Sequence, residues 1–226
     1  MAENARQVER LLQDIAWESA QSRPWTGRDG IDPRVLEAIR QVPRHVFVPE
    51  WQAPYAYDNG PLPIGHGQTI SQPFIVALMS DMLRPQAHHV VLEVGCGSGY
   101  QSAVLSKLVR HVYSVEIVPE LAKAAQKRLS QLGYANVTVR HGDGCDGWPE
   151  HAPFDGIIVT AAAPEIPPSL IEQLKPGGRM VIPVGQPHGR QDLMLVEKNA
   201  AGEVSMQNIL PVAFVPLTGN HVAAHE

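Results

Sequence analysis

Cysteine is scarce in this sequence: Cys96 and Cys145 are the only two among 226 residues. A disulfide framework is excluded as the source of stability, and a reducing compartment, the cytoplasm, is expected. Long apolar runs are missing too. The most apolar stretches, such as Phe74–Met79 and Gly156–Pro164, fall well short of the roughly 18–20 residues that a spanning helix needs. Glu3, Arg6, Glu9 and Arg10 stand where a signal peptide would carry its apolar core, so neither a leader nor a membrane association is expected. Positive charge is in short supply: 18 Lys and Arg against 23 Asp and Glu leave a net charge of −5. A nucleic-acid partner held on a broad basic face is therefore not expected. With neither H-E-x-x-H nor C-x-x-C among ten histidines and two cysteines, no metal site is expected. His88 and His89 would point to opposite faces of a strand start. The four tryptophans, Trp17, Trp25, Trp51 and Trp148, are expected to pack in the core or at its edges.

Hydrophobic residues make up 44% of the chain, enough for a globular fold of one domain. Val8, Leu11, Leu12 and Ile15 recur at helical spacing and predict a helix over 4–20. Asp32-Pro33 predicts the cap and first residue of a second helix that runs to Pro43. Residues 43–68 lack periodicity and read as a long loop. Ser71 reads as the N-cap of a third helix with Ile75, Leu78, Met79 and Met82 on its apolar face. From residue 88 short apolar runs alternate with helical patterns. Strands are predicted at 89–94, 112–115, 137–139, 154–160 and 178–184, with helices at 100–109, 119–132 and 169–174. Further strands are predicted at 193–196 and 209–217. Alternation of this kind implies a doubly wound, mostly parallel α/β sheet. The expected architecture is a single Rossmann-like domain over 1–226. It has a helical and loop extension (1–70), a core (71–185), C-terminal strands (186–218) and a loose tail (219–226).

The strongest motif lies at the first strand–helix junction, Glu93-Val94-Gly95-Cys96-Gly97-Ser98-Gly99. Glycines there allow a sharp turn and a close ligand approach at the carboxyl end of a strand. The dinucleotide fingerprint wants its third glycine at the sixth position, where Tyr100 stands. The pattern G-x-G-x-G suits S-adenosyl-L-methionine better than a pyrophosphate, though a tight turn without ligand reads the same way. Glu116 ends the next strand, 21 positions after Gly95, where a carboxylate can accept both ribose hydroxyls. Asp143, in Gly142-Asp143-Gly144, ends the third strand within reach of an adenine amino group; an Asp-Gly turn is the plainer account. Glu93 sits in an apolar strand and needs a partner, either the ammonium of a methionine moiety or loop amides.

These residues resemble the signature of class I S-adenosyl-L-methionine-dependent methyltransferases. Leu62–Pro73 and Arg44–Pro49 resemble, more specifically, protein-L-isoaspartate O-methyltransferases. So do Ala152–Asp155, Ala161-Ala162, Gln173–Gly178, Pro183–Gly185 and Phe214–Leu217. The resemblance covers roughly 5–218. Departures are small: Cys96 replaces a hydroxyl residue in the glycine loop, Ala213 stands where relatives often have arginine, and 186–190 forms a slightly longer hairpin before Gln191.

The resemblance implies transfer of a methyl group from S-adenosyl-L-methionine to the free α-carboxylate of L-isoaspartyl residues in damaged proteins. The resulting ester collapses to a succinimide, and hydrolysis returns some normal aspartate. It implies a cofactor site at Ile70, Glu93, Gly95, Gly97, Gly99, Glu116, Asp143 and Gly144. Ser71 is the expected catalytic residue, cradling the substrate carboxylate together with helix N-terminal amides. Thr69, Val184, Gly185 and Thr218 are the other expected substrate contacts. Residues 58–70 would close as a lid, and a monomer is expected. Asn59-Gly60 in that segment invites deamidation, so that aged enzyme would become its own substrate. Three rival readings share parts of these motifs: a methyltransferase acting on a small molecule or RNA, a silent cofactor or isoaspartate binder, and a nicotinamide-dependent oxidoreductase.

Overall fold

The computed structural model describes residues 2–187 and 189–219. Two helices lead: α1 (Ala2–Thr26) and α2 (Pro33–Gln41). The α2 cap is the expected one, with the Asp32 side chain accepting a hydrogen bond from Arg34 N at 2.8 Å. The aperiodic stretch after it is not a plain loop. It holds two 3-10 turns, Arg44–Phe47 and Glu50–Tyr55, and leads into a hairpin of β1 (Leu62–Gly65) and β2 (Gln68–Ile70). His66 and Gly67, at φ 53° and 70°, make the tight turn that joins them, the geometry favoured in two-residue hairpins.

The core follows as α3 (Pro73–Met82), β3 (Val90–Val94), α4 (Tyr100–Ser106), β4 (His111–Glu116), α5 (Pro119–Gln131) and β5 (Val137–His141). Then come β6 (Phe154–Val159), α6 (Pro168–Glu172), β7 (Leu174–Gly185), β8 (Gln191–Lys198) and β9 (Val204–Val212). Seven strands form one sheet in the order β5-β4-β3-β6-β7-β8-β9. Pairing is parallel from β5 to β7 and antiparallel from β7 to β9. The chain winds outward from β3 through β4 to β5, then returns to β6 on the other side of β3. The carboxyl end of β3 is thus a topological switch point, where ligands bind in open α/β sheets.

Apolar residues cover both faces of the sheet. On one face Val91 and Val112 pack with Leu11, Ile15, Phe47, Phe74 and Leu105. On the other, Leu92 and Val94 pack with Phe154, Ile157, Leu170 and Met180. All five residues of β3 are buried, as expected of a strand covered on both sides.

Four expectations need correction. Helix α3 is capped by Gln72, not Ser71, because Pro73 occupies the first helical position. The last strand ends at Val212; Pro216 cannot donate to a ladder, and only an isolated Ala162–Pro216 bridge continues. Trp17, Trp25 and Trp51 are 67%, 59% and 65% exposed, since Leu11, Leu12 and Ile15 claim the inward face of α1; Trp148 alone is buried. The His88 and His89 rings meet edge to face, 4.7 Å apart, because both precede β3 rather than alternate along it. Expectations for the tail beyond residue 219 lie outside the described residues. Among the described residues no helix is long and apolar enough to cross a membrane.

Candidate active site

The glycine loop hangs on the sheet by its backbone. Gly95 N and Cys96 N both donate to Val115 O, at 2.8 and 3.3 Å, and Gly99 N donates to Cys96 O at 2.8 Å. Gly95, Gly97 and Gly99 all have positive φ, at 92°, 52° and 87°, which a side chain would strain. A Cβ at Gly95 would stand 2.5 Å from Thr160 Oγ1, and one at Gly99 would stand 3.1 Å from Leu129 Cδ1. The loop is therefore wedged between the end of β6 and α5. Gly99 serves that packing, while Gly95 and Gly97 line a cavity with Gln68, Thr69, Glu116 and Thr218.

Glu116 is 5% exposed. Its Oε2 accepts from Gly97 N at 2.7 Å and its Oε1 from Val118 N at 2.9 Å. An ionised carboxylate has about four acceptor positions, so both oxygens can still take a hydroxyl. Asp143 accepts from Cys145 N at 2.9 Å. A Cβ on Gly219 would stand 2.4 Å from either Asp143 carboxylate oxygen, so Gly219 lies directly over it. Gly144, Ile117 and Leu217 complete an apolar wall of the same cavity. A carboxylate at a strand end, loop glycines and an apolar wall suit an adenosyl group; Asp143 borders this cavity through Gly144 and does not line it itself. The cavity, at about 50 Å³, is well below the roughly 300 Å³ at which ligand pockets begin. Admitting such a group requires the hairpin and residues 215–218 to part.

Glu93 stands behind this cavity rather than in it. It is fully buried, and its Oε2 accepts from the hydroxyls of Ser102 on α4 and Ser114 on β4. Its Oε1 has no hydrogen-bond partner among the described residues. Burial, opposed by those two hydroxyls, pushes its carboxyl up to about 7.

A second cavity, about 480 Å³, adjoins the first through Thr69 and Thr160. Ser71, Gln72, Phe74, Ile75 and Glu18 line one side, and residues 210–215 the other. Since Gln72 takes the cap position, the Ser71 hydroxyl is not spent on the helix. The helix amides are less available than the sequence implied: Pro73 has none, and Phe74 N donates to Asn59 Oδ1 at 3.0 Å.

Arg44 supplies what those amides do not. It is fully buried; its Nη2 donates to Ser71 O at 3.0 Å and to Gly60 O at 3.3 Å. Its guanidinium lies 4.9 Å from the centre of the Tyr100 ring. Burial lowers its pKa to about 10, so it stays cationic at neutral pH. No carboxylate pairs with it among the described residues. It thus leaves positive potential beside Ser71.

Ile70 and Thr69 line a small pocket with Ser71 and the glycine loop, so the hairpin joins the two cavities. Thr218 lines the first cavity. Val184 and Gly185 line neither; Gly185 abuts Arg190 O, which a Cβ would approach to 2.2 Å. Three further residues were given no role by the sequence reading. Thr160 lines both cavities and donates from its hydroxyl to Gly95 O at 2.6 Å. Gln191, 5% exposed, clamps Phe214, accepting from its N at 2.6 Å and donating to its O at 3.2 Å. Arg44 is the third. Its only signal was its place in the Arg44–Pro49 motif.

Residues 27–222 match the family described as protein-L-isoaspartate(D-aspartate) O-methyltransferase (PCMT). A protein of Syntrophobacter fumaroxidans named protein-L-isoaspartate O-methyltransferase 2 is 58% identical over 212 residues, covering 94% of this chain and 86% of that one. A Polaromonas protein of the same name is 59% identical over 209 residues, covering 92% and 99%. Among solved structures, a protein-L-isoaspartate O-methyltransferase superposes with a TM-score of 0.82 at 28% identity, over 94% of this chain and 66% of that longer one. A Plasmodium falciparum protein described as a putative protein-L-isoaspartate O-methyltransferase, solved with S-adenosyl-L-homocysteine, gives 0.73 at 25% identity, over 93% and 98%.

Proposed function

The chain belongs to the protein-L-isoaspartate O-methyltransferase family, and from that premise we propose which of its residues carry the repair reaction. It is an S-adenosyl-L-methionine-dependent methyltransferase acting on isoaspartyl proteins. The observation that supports the site assignment is the meeting of two cavities at Thr69 and Thr160, with the glycine loop and Glu116 on one side and Ser71 on the other.

Bound in the first cavity, the cofactor supplies an electrophilic methyl group on a sulfonium. Glu116 holds the ribose hydroxyls, Gly95 and Gly97 let the backbone approach, and Asp143 and Gly144 border the adenine. The substrate carboxylate is ionised at pH 7, so no residue need remove a proton from it. Its orientation is what the protein must provide. Ser71 donates its hydroxyl to one carboxylate oxygen, and Thr69 and Ile70 shape the approach. Arg44 holds the Ser71 carbonyl and adds positive potential without touching the substrate. Thr218 borders the cofactor side, so its contact with substrate falls where the cavities meet. The hairpin excludes water once closed, which protects the methyl donor from hydrolysis.

The extension, core and C-terminal strands all line these cavities, so we read them as one unit. Two buried, unpaired cysteines favour a reducing, cytoplasmic location. The test is transfer of labelled methyl to paired peptides with L-isoaspartate or L-aspartate at one position. Base-labile label on the isoaspartyl peptide alone is expected. Ser71→Ala should lower kcat/KM about 10–100-fold, the worth of one hydrogen bond to a charged group. Unchanged kcat/KM would remove Ser71 from the site.

A further inference from the structure

Among the described residues, Glu18 is the only charged one lining the 480 Å³ cavity that holds Ser71. It lies on α1, in the N-terminal extension, far in sequence from the glycine loop. Its position is fixed: Oε2 accepts from Asn59 Nδ2 at 2.7 Å and from Gln72 Nε2 at 2.9 Å. Oε1 has no hydrogen-bond partner among the described residues. Both donors are neutral amides, and no cation pairs with Glu18 among the described residues. The rest of the cavity wall is apolar or neutral, namely Pro61, Phe74, Ile75 and residues 210–215. Low-polarity walls screen a charge less than open water does.

We propose that Glu18 gives this enzyme a preference for damage sites by charge: isoaspartate flanked by lysine or arginine is favoured over isoaspartate flanked by glutamate or aspartate. The inference rests on the reading of this cavity as the seat of the isoaspartyl peptide. The target carboxylate itself is anchored at Ser71 beside the buried Arg44 cation. Flanking side chains extend along the cavity and meet the Glu18 carboxylate at its wall. A basic neighbour gains attraction there and an acidic one meets repulsion. The effect belongs to binding, so it appears in KM and leaves kcat nearly constant.

The experiment is a set of isoaspartyl peptides alike except for one lysine or glutamate, moved through the two positions on either side of the damage. Each is assayed with wild-type enzyme and with Glu18→Gln, at low and high salt. Gln keeps an oxygen to accept both bonds while removing the charge. At the most sensitive position the lysine peptide should have the higher kcat/KM by about three- to tenfold at low salt, since exchanging the sign of one partner of a partly exposed pair is worth about that much. High salt should shrink the difference, and Glu18→Gln should bring it within about twofold. One rate for all peptides with wild-type enzyme, or a preference undiminished in Glu18→Gln, would overturn the inference alone. Equal slowing of every peptide by Glu18→Gln, with the preference intact, would reduce Glu18 to a brace for Asn59 and Gln72. If Glu18→Gln does not fold, the wild-type peptide and salt series still decides. No transfer to any isoaspartyl peptide would sink the reading of the cavity and this inference together.

Discussion

Glu93 makes the most quantitative test of the fold. Its carboxyl is buried against Ser102 and Ser114, with one oxygen unpartnered. Burial raises its pKa to about 7 from the ordinary 4.5. The native state therefore holds a proton between those values that the unfolded chain has already lost. Stability changes with pH in proportion to protons bound in the unfolded minus the native state, and that difference is negative here. Glu93 thus contributes a loss of stability as pH rises from about 4.5 to 7, and a constant penalty above. The shift corresponds to about 3 kcal/mol, at 1.36 kcal/mol per pH unit. Glu93→Gln removes the titration and keeps an acceptor for the serines. Urea unfolding at a series of pH values from 5 to 8 should show the variant gaining on wild type by about 3 kcal/mol across the series. In Tm this is about 6–12 °C for a chain of this size. Parallel pH profiles for the two proteins would refute the reasoning, because Glu93 would then titrate alike folded and unfolded.

Asn59 was expected to deamidate; its hydrogen bonds lead us to predict that the fold slows this. Its side chain is tied to Glu18 and Phe74 N, and Gly60 N, the nucleophile for succinimide closure, donates to Asp58 O at 2.8 Å. Peptide mapping of aged protein should find far less isoaspartate at position 59 than in a short peptide of the same local sequence; equal amounts would contradict this account. Gly144→Ala should cost about 1–3 kcal/mol by overpacking, since its Cβ would stand 2.4 Å from Val94 Cγ1. Calorimetry should register a Tm lower by several degrees, and titration calorimetry weaker cofactor binding, because Gly144 also lines the cavity. An unchanged Tm would mean that Val94 yields without strain.

The parts of the fold legible in the sequence are those with local causes. Asp32-Pro33 placed the start of α2 because cap and proline act within one turn. Alternation of short apolar runs with helical patterns identified the parallel sheet, because both faces of β3 and β6 must be buried. The misjudged parts have distant causes. Ser71 looks like a cap until Pro73 is seen to start the helix and Asn59, fifteen positions earlier than Phe74, to satisfy its first amide. Residues 43–68 lack a period because 3-10 turns and a four-residue strand are too short to display one. Trp17 and Trp25 follow the helical period outward once Leu11 and Ile15 claim the core.

The same division runs through the site. Gly95, Gly97 and Glu116, which line one cavity, were legible together because their residue types stand at fixed spacing along one βαβ unit. Glu93 was half found. Its need for a partner was clear, but the two serines that meet it lie 9 and 21 positions away. Thr160 carried no signal, since a threonine at the end of an apolar strand is ordinary until β6 is laid beside β3. Arg44 and Gln191 act on backbone groups, Arg44 on the carbonyls of Gly60 and Ser71, Gln191 on Phe214. Backbone groups place no demand on residue type, so such bracing leaves no pattern at either end. Residues that touch ligand are therefore the more legible class, and residues that hold those in place are the class that only the folded chain reveals. Glu18 would belong to both: it braces Asn59 and Gln72 with one oxygen and lines the cavity proposed to seat the peptide. A charge-sensitive assay can separate its two roles where truncation to alanine would merge them.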